Sequence, residues 1–163
     1  MKRLYVIGNP ITHSKSPLIH NFWLRKYSID CVYEKKQITQ TEIPDLIEHV
    51  REGIIKGFNV TIPFKKIMLN MVDTVDLEAK KSMAVNTVYK RGDKVVGTNT
   101  DGIGFVNSLK KDVKYILKPK SNIFCVGSGG AAYGIISEIL NYEPTSVKIT
   151  NRTESSGLKL INH

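Results

Sequence analysis

The sequence predicts an α/β protein in two parts. Three observations carry this. Short apolar runs alternate with segments of helical period along most of the chain. Four polar clusters beside Gly or Pro mark where apolar strands end, which is where α/β folds place their binding loops. Beyond Lys118-Pro119-Lys120-Ser121 a new strand, a glycine turn and a helix begin, as if a second domain opened there.

The elements follow in order. Residues 3 to 8 read as a buried strand. Ser16-Pro17 opens a helix, with Ser16 as N-cap and Pro17 in the first turn, and Leu18, Ile19, Phe22 and Trp23 recur at helical spacing. Residues 31 to 38 read as a second strand, followed by a helix from about Glu42 to Arg51 that Gly53 closes. A third strand runs over 54 to 60 and ends at Asn59-Val60-Thr61. Pro63 starts a short helix, and residues 76 to 83 form another. Residues 85 to 97 predict a hairpin turning at Arg91-Gly92-Asp93, and Asp101 starts a helix to about Lys110. In the second part, 122 to 126 is a strand, Gly127-Ser128-Gly129-Gly130 a tight turn, 131 to 140 a helix and 147 to 150 a strand. A strand and about one helical turn close the sequence. The stretch after Lys120 is much shorter than the roughly 100–150 residues of a whole domain.

Composition narrows the function classes. With 163 residues and 41% hydrophobic content, the chain is long enough for one full domain, or for one domain plus part of another. No run of about 18 apolar residues occurs, which argues against a membrane span. The N-terminal apolar stretch is too short for a signal peptide, so a cytoplasmic protein is expected. The net charge of +9 is spread over scattered lysine pairs without aromatic interleaving. That pattern fits attraction of small anions better than nucleic-acid binding. Cys31 and Cys125 lie in apolar runs with no ligand at metal spacing, and read as buried free thiols.

Two sets of residues carry candidate chemistry. The first is the turn Gly127-Ser128-Gly129-Gly130-Ala131, between a strand and a helix. Its glycines let a backbone approach a pyrophosphate, and the helix start offers free N–H groups and partial positive charge. The next strand ends in Asn151-Arg152-Thr153, where NAD-binding domains keep an acid for the ribose. No acid stands at this strand end, although Glu154 follows closely. Arg152 can meet a 2′-phosphate with a fork of donors, which favours NADP over NAD. The second set is the polar clusters themselves, with Lys65 and Asp101 among them. Taken singly, Lys65 reads as a solvated helix-face lysine and Asp101 as a helix N-cap.

Together these segments resemble the shikimate dehydrogenase family. The resemblance rests on Gly8-Asn9-Pro10 with Ser14-Lys15-Ser16-Pro17, and on Asn59-Val60-Thr61-Ile62-Pro63-Phe64-Lys65. It continues through Ala84-Val85-Asn86-Thr87, Asn99-Thr100-Asp101-Gly102, the glycine turn and Asn151-Arg152-Thr153, in the family's order. It implies a shikimate-binding domain over 1–118 and the start of a Rossmann-type NADP-binding domain over 119–163, with the site in a cleft between them. It implies reduction of 3-dehydroshikimate to shikimate with NADPH. Ser14 and Ser16 would hold the substrate carboxylate. Asn59, Thr61, Asn86 and Asp101 would bind ring hydroxyls or support Lys65, and Lys65 with Asp101 would form the catalytic pair. Gly127, Ser128, Gly129, Gly130, Ala131, Asn151, Arg152 and Thr153 would hold NADP. No metal is implied, and a homodimer is left open.

Two departures are visible. The family's motif continues Asn-Arg-Thr-x-x with Arg or Lys, but Ser156 holds that position here, with Lys159 a turn later. The family's cofactor domain also runs on well past the length available, so a truncated chain is expected. Two alternatives to the NADP enzyme stand beside it: a quinate/shikimate dehydrogenase with broader substrate and cofactor use, and a substrate-binding remnant without turnover.

Overall fold

The computed structural model describes residues 2–162, which form two compact units. The first comprises residues up to Leu77 together with Ala84–Thr98. The second comprises Glu78–Met83 and the chain from Asn99 onward.

The first unit is built on a six-stranded sheet. In chain order its elements are β1 (Lys2–Gly8), α1 (Ser16–Lys26), β2 (Cys31–Gln37), α2 (Ile43–Arg51), β3 (Gly57–Val60), β4 (Thr74–Val75), β5 (Thr87–Arg91) and β6 (Lys94–Thr98). The strand order is β2-β1-β3-β5-β6-β4. Only β5 runs against its neighbours. The loops after β1 and β3 and the loop entering β5 therefore share one end of the sheet. The alternation and turn signals read from sequence account for β1, β2, β3 and the β5–β6 hairpin, where Gly92 takes φ +59°.

Helix α2 covers one face through Ile43, Leu46, Ile47 and Val50, spaced one helical turn apart and all buried. Opposite them lie Ile7, Val88 and Val95, each fully buried. Burying each such side chain contributes about 1.5–3 kcal/mol, so this face is the main core. Helix α1 behaves differently from the expected apolar stripe. Leu18, Ile19, Phe22 and Trp23 are exposed, and the packed side is Pro17, Asn21 and Leu24. The reason is polar. β2 is an edge strand, and the Asn21 amide closes its open backbone, accepting from the Tyr33 N–H (2.9 Å) and donating to the Tyr33 carbonyl (2.7 Å).

Other local expectations shift. α1 is not capped by Ser16: its N-cap position is Lys15, and the Ser14 Oγ accepts the Ser16 N–H at 3.3 Å. Pro63 begins a run of turns rather than a helix, and a short 3-10 segment follows at Ile67–Asn70. The third strand is shorter than expected, beginning at Gly57. The short strand β4 has no signal in sequence. It is set by tertiary contacts, pairing with β6 beside an Arg51–Asp73 ion pair of 2.6 Å. Cys31 and Cys125 are free and half-buried rather than buried.

The second unit contains α4 (Asp101–Lys111), β7 (Asn122–Val126), α5 (Gly130–Leu140), β8 (Ser146–Thr150) and α6 (Glu154–Ile161), with most of α3 (Leu77–Ser82). β7 and β8 pair in parallel across the α5 crossover, a Rossmann-type βαβ unit. α6 runs for two turns where one was expected. Val106, Leu117 and Ile139 form the buried cluster between α4 and α5, with Leu109, Ile123 and Ile135 against it. Among the described residues no helix is long and apolar enough to cross a membrane, and no three His, Cys, Asp or Glu gather as a metal site.

Candidate functional site

Gly8 ends β1 and lets a second segment come close. A Cβ there would stand 2.6 Å from Thr61 Cγ2 and 3.0 Å from the Ile62 carbonyl oxygen. The bare backbone permits the Asn9 N–H to donate to that carbonyl at 3.1 Å, and the Thr61 N–H to donate to the Ile7 carbonyl at 2.9 Å. The loops after β1 and β3 are thereby stitched together. Between them lies a cavity of about 240 Å³ lined by Val6, Pro10, Ile11, His13, Ser14, Ser16 and Thr61. Three of the expected substrate residues, Ser14, Ser16 and Thr61, meet here. The Ser14 hydroxyl already accepts the Ser16 N–H, so its own hydrogen is left to donate elsewhere.

Asn59, Asn86 and Lys65 do not line that cavity. Asn59 sits near the end of β3 with its amide engaged inside the sheet. It donates to Thr87 Oγ1 at 2.9 Å and to the Asn86 carbonyl at 3.2 Å, and accepts from the Tyr33 hydroxyl at 2.6 Å. Asn86 is buried at the entry to β5, and its Oδ1 accepts from Thr87 Oγ1 at 2.9 Å. Lys65 is half-buried in the turns after β3. Its carbonyl accepts the Val85 N–H at 2.8 Å, tying its backbone to the segment that carries Asn86.

Asp101 belongs to the second unit. It is the first residue of α4 rather than its cap. The N-cap position is Thr100, and the Asp101 N–H is met by the Oδ1 of Asn99, itself buried, at 2.9 Å. Asn99, Thr87 and Tyr33 were not singled out from sequence. The first two lie inside motifs that were read, and their neighbours drew the attention. Tyr33 carries no signal, because a tyrosine in an apolar strand reads as core.

The glycine turn in the second unit links β7 to α5. Gly127 adopts φ +104°, a left-handed conformation that favours glycine. Its N–H donates to the Thr150 carbonyl at 2.7 Å, and the Ser128 N–H donates to Asn151 Oδ1 at 3.2 Å. Asn151 Nδ2 donates to the Thr153 carbonyl at 2.7 Å. The turn is thus held by the end of β8. Cβ positions at Gly129 and Gly130 meet nothing within 4 Å, so among the described residues none fills the room beside this helix start. Ser128 Oγ is buried and finds no hydrogen-bond partner among the described residues. Bare backbone, an orphaned hydroxyl and a helix N-terminus fit an anionic group such as a pyrophosphate. Arg152 is exposed just beyond β8.

The model for the shikimate dehydrogenase substrate-binding domain matches residues 6–88, half of the chain. The chain belongs to the shikimate dehydrogenase family. It is 41% identical over 162 residues to the shikimate dehydrogenase (NADP+) of Pelagibacter ubique, covering 99% of this chain and 60% of that protein. Among solved structures, a shikimate dehydrogenase in complex with NADP+ superposes with a TM-score of 0.90 at 33% identity, covering 99% of this chain and 55% of the other. The Thermus thermophilus shikimate 5-dehydrogenase, in complex with NADP(H) and shikimate, gives 0.88 at 32% identity, covering 99% and 60%. The chain therefore spans somewhat more than half the length of these shikimate dehydrogenases.

Proposed function

We propose that this chain carries the substrate side and the pyrophosphate turn of an NADPH-dependent shikimate dehydrogenase, which reduces 3-dehydroshikimate to shikimate on the way to chorismate and the aromatic amino acids. The observation that carries the reading is the meeting of Ser14, Ser16 and Thr61 on one cavity at the joined ends of β1 and β3. In this reading residues 1–118 serve the substrate and 119–163 serve the cofactor, with α4 packing against α5. The working compartment is the cytoplasm. The partners are small molecules with no nucleic acid among them, and the assembly is a monomer or a homodimer.

Ser14 and Ser16 donate their hydroxyl hydrogens to the substrate carboxylate. Thr61, Asn86 and Asp101 take the ring hydroxyls, and Asn59 braces Asn86. When bound, NADPH supplies the hydride that adds to the carbonyl carbon. Negative charge then develops on the carbonyl oxygen, and the Lys65 ammonium stabilises it there. The new hydroxyl takes its proton from Lys65 or from Asp101. The N–H groups from Gly127 to Ala131 and the Ser128 hydroxyl hold the pyrophosphate. Asn151 and Thr153 shape the far side of the turn, and Arg152 meets the 2′-phosphate.

Titration of shikimate into the chain tests the substrate side. Saturable binding is expected, and the Ser14→Ala, Ser16→Ala double variant should bind at least about 10-fold more weakly, since hydrogen bonds to a charged group contribute about 1.5–3 kcal/mol each. Equal affinities would remove the carboxylate assignment, and a wild type that ignores shikimate would overturn the reading itself. The cofactor side is tested with Arg152→Ala. Its affinity for NADPH should fall about 10-fold while that for NADH stays unchanged. A parallel loss for both nucleotides would take Arg152 off the 2′-phosphate.

A further inference from the structure

The first unit holds a second cavity, and every charged group on its wall is a cation. It measures about 430 Å³ and is walled by α1, the loop before it and β2, through Ser14, Lys15, Leu18, Asn21, Arg25 and Lys35. Ser14 also lines the cavity assigned to the substrate, so the two adjoin. No carboxylate lines the second one. The surrounding sequence is equally one-sided, since none of the chain's 15 Asp and Glu precedes Asp30.

Three separate elements deliver the charges. Lys15 comes from the loop after β1, Arg25 from the last turn of α1 and Lys35 from β2. Strand alternation puts Lys35 on the same face as Tyr33, the face on which α1 packs, while Glu34 between them belongs to the other face. Hydrogen bonds fix the frame. The Asn21 amide clasps the Tyr33 backbone and so sets α1 against β2, and Arg25 stands one turn further along the same helix face. The Lys35 ammonium donates to the Thr12 carbonyl at 2.5 Å, which ties it to the loop that carries Lys15. The Lys15 ammonium and the Arg25 guanidinium have no hydrogen-bond or ion-pair partner among the described residues.

Scattered surface lysines point apart into water. These three cations share one recess, where their potentials add, and a bound anion offsets their mutual repulsion. Arg25 can meet an oxyanion with two parallel N–H donors, and the two ammonium groups add charge and further donors. Such a set answers a dianion better than a single carboxylate. Pro17 and Leu18 give the recess an apolar side, and its volume leaves room for an organic group beside the anion.

We propose that this cavity binds a small phosphate monoester, with Lys15, Arg25 and Lys35 on the phosphate and the organic group against Pro17 and Leu18. The site belongs to the first unit, whereas the glycine turn belongs to the second. The inference does not depend on the shikimate reading.

Phenyl phosphate is the probe, titrated into the 163-residue chain at constant ionic strength and followed by amide NMR. Saturable shifts are expected from Ser14 to Arg25 and at Lys35. Arg25→Gln and Lys35→Gln should each weaken binding about 3–10-fold, and benzoate should bind more weakly than phenyl phosphate. Absence of saturation, or unchanged affinity in both variants, overturns the inference. Benzoate binding as tightly as phenyl phosphate overturns the assignment to phosphate. Shifts confined to Gly127–Gly130 place the ligand on the other unit and overturn it as well. Should Lys35→Gln disturb the loop through its lost bond to Thr12, Arg25→Gln decides by the same titration.

Discussion

On the proposed shikimate dehydrogenase reading, and in a full-length context, Lys65→Ala is expected to lower kcat for NADPH-dependent reduction of 3-dehydroshikimate by roughly 10²–10⁴-fold while KM changes comparatively little. The split follows from when the charge exists. In the ground state the substrate carbonyl is neutral, and an ammonium beside it adds little binding. As hydride arrives the oxygen becomes anionic, and the same ammonium is worth several kcal/mol in a site shielded from water. A group that acts only at that moment lowers kcat and kcat/KM together when it is removed. The structure gives Lys65 the fixed base such a role needs. Its carbonyl is bonded to the Val85 N–H, and the neighbouring Phe64 is buried with its N–H on the Thr61 carbonyl at 3.0 Å. Steady-state kinetics on a preparation that turns over is the measurement, with thermal melting as the folding control. Wild-type kcat in the variant would return Lys65 to an ordinary surface cation.

The contrast between Lys65 and Tyr33 shows where sequence is legible. Lys65 stands in a compact string, Asn59 to Lys65, whose Pro and small polar residues announce a strand end and its loop. The other clusters do the same, so the loops of the candidate site and the strands before them are visible from local chemistry alone. The glycine turn is visible for the same reason. Tyr33 acts on Asn59 across 26 residues of sequence, and nothing local distinguishes it from a core tyrosine. The expected helix at Pro63 fails on the same ground. The backbone on either side of it is drawn into bonds with Ile7, Asn9 and Val85, which no local propensity records. In α1 the helical period locates the helix correctly but not its packed side. Two hydrogen bonds between Asn21 and an edge strand, one donated and one accepted, decide that, and they leave Phe22 and Trp23 on the surface. Periodicity reports that an element can be amphipathic, whereas the covered face depends on what the rest of the fold brings to it.

Gly102→Ala is expected to destabilise the second unit by about 1–3 kcal/mol or more, whereas Gly104→Ala, in the same helix, is expected to stabilise it by about 0.5–1 kcal/mol. Gly102 is the second residue of α4 and Gly104 the fourth, so helix propensity favours alanine at both. Packing separates them. A Cβ on Gly102 would stand 2.3 Å from the Gly134 carbonyl oxygen, 3.0 Å from the Gly134 carbonyl carbon and 2.9 Å from Glu138 Cβ. Two of these atoms are backbone of α5 and cannot rotate away. Relief requires α4 and α5 to move apart, which loosens the cluster of Val106, Leu117 and Ile139. A Cβ on Gly104 meets nothing within 4 Å, so only the propensity gain remains. The same displacement would reach the site, because Gly102 follows Asp101 directly and α5 begins at the glycine turn. Gly102→Ala should therefore weaken NADPH binding as well as stability, and Gly104→Ala should leave both the turn and Asp101 in place. Urea denaturation followed by the near-ultraviolet signals of Tyr133 and Tyr142, with nucleotide titration on the folded variants, measures both effects. Equal midpoints for the two variants would mean that α4 and α5 do not depend on this close approach.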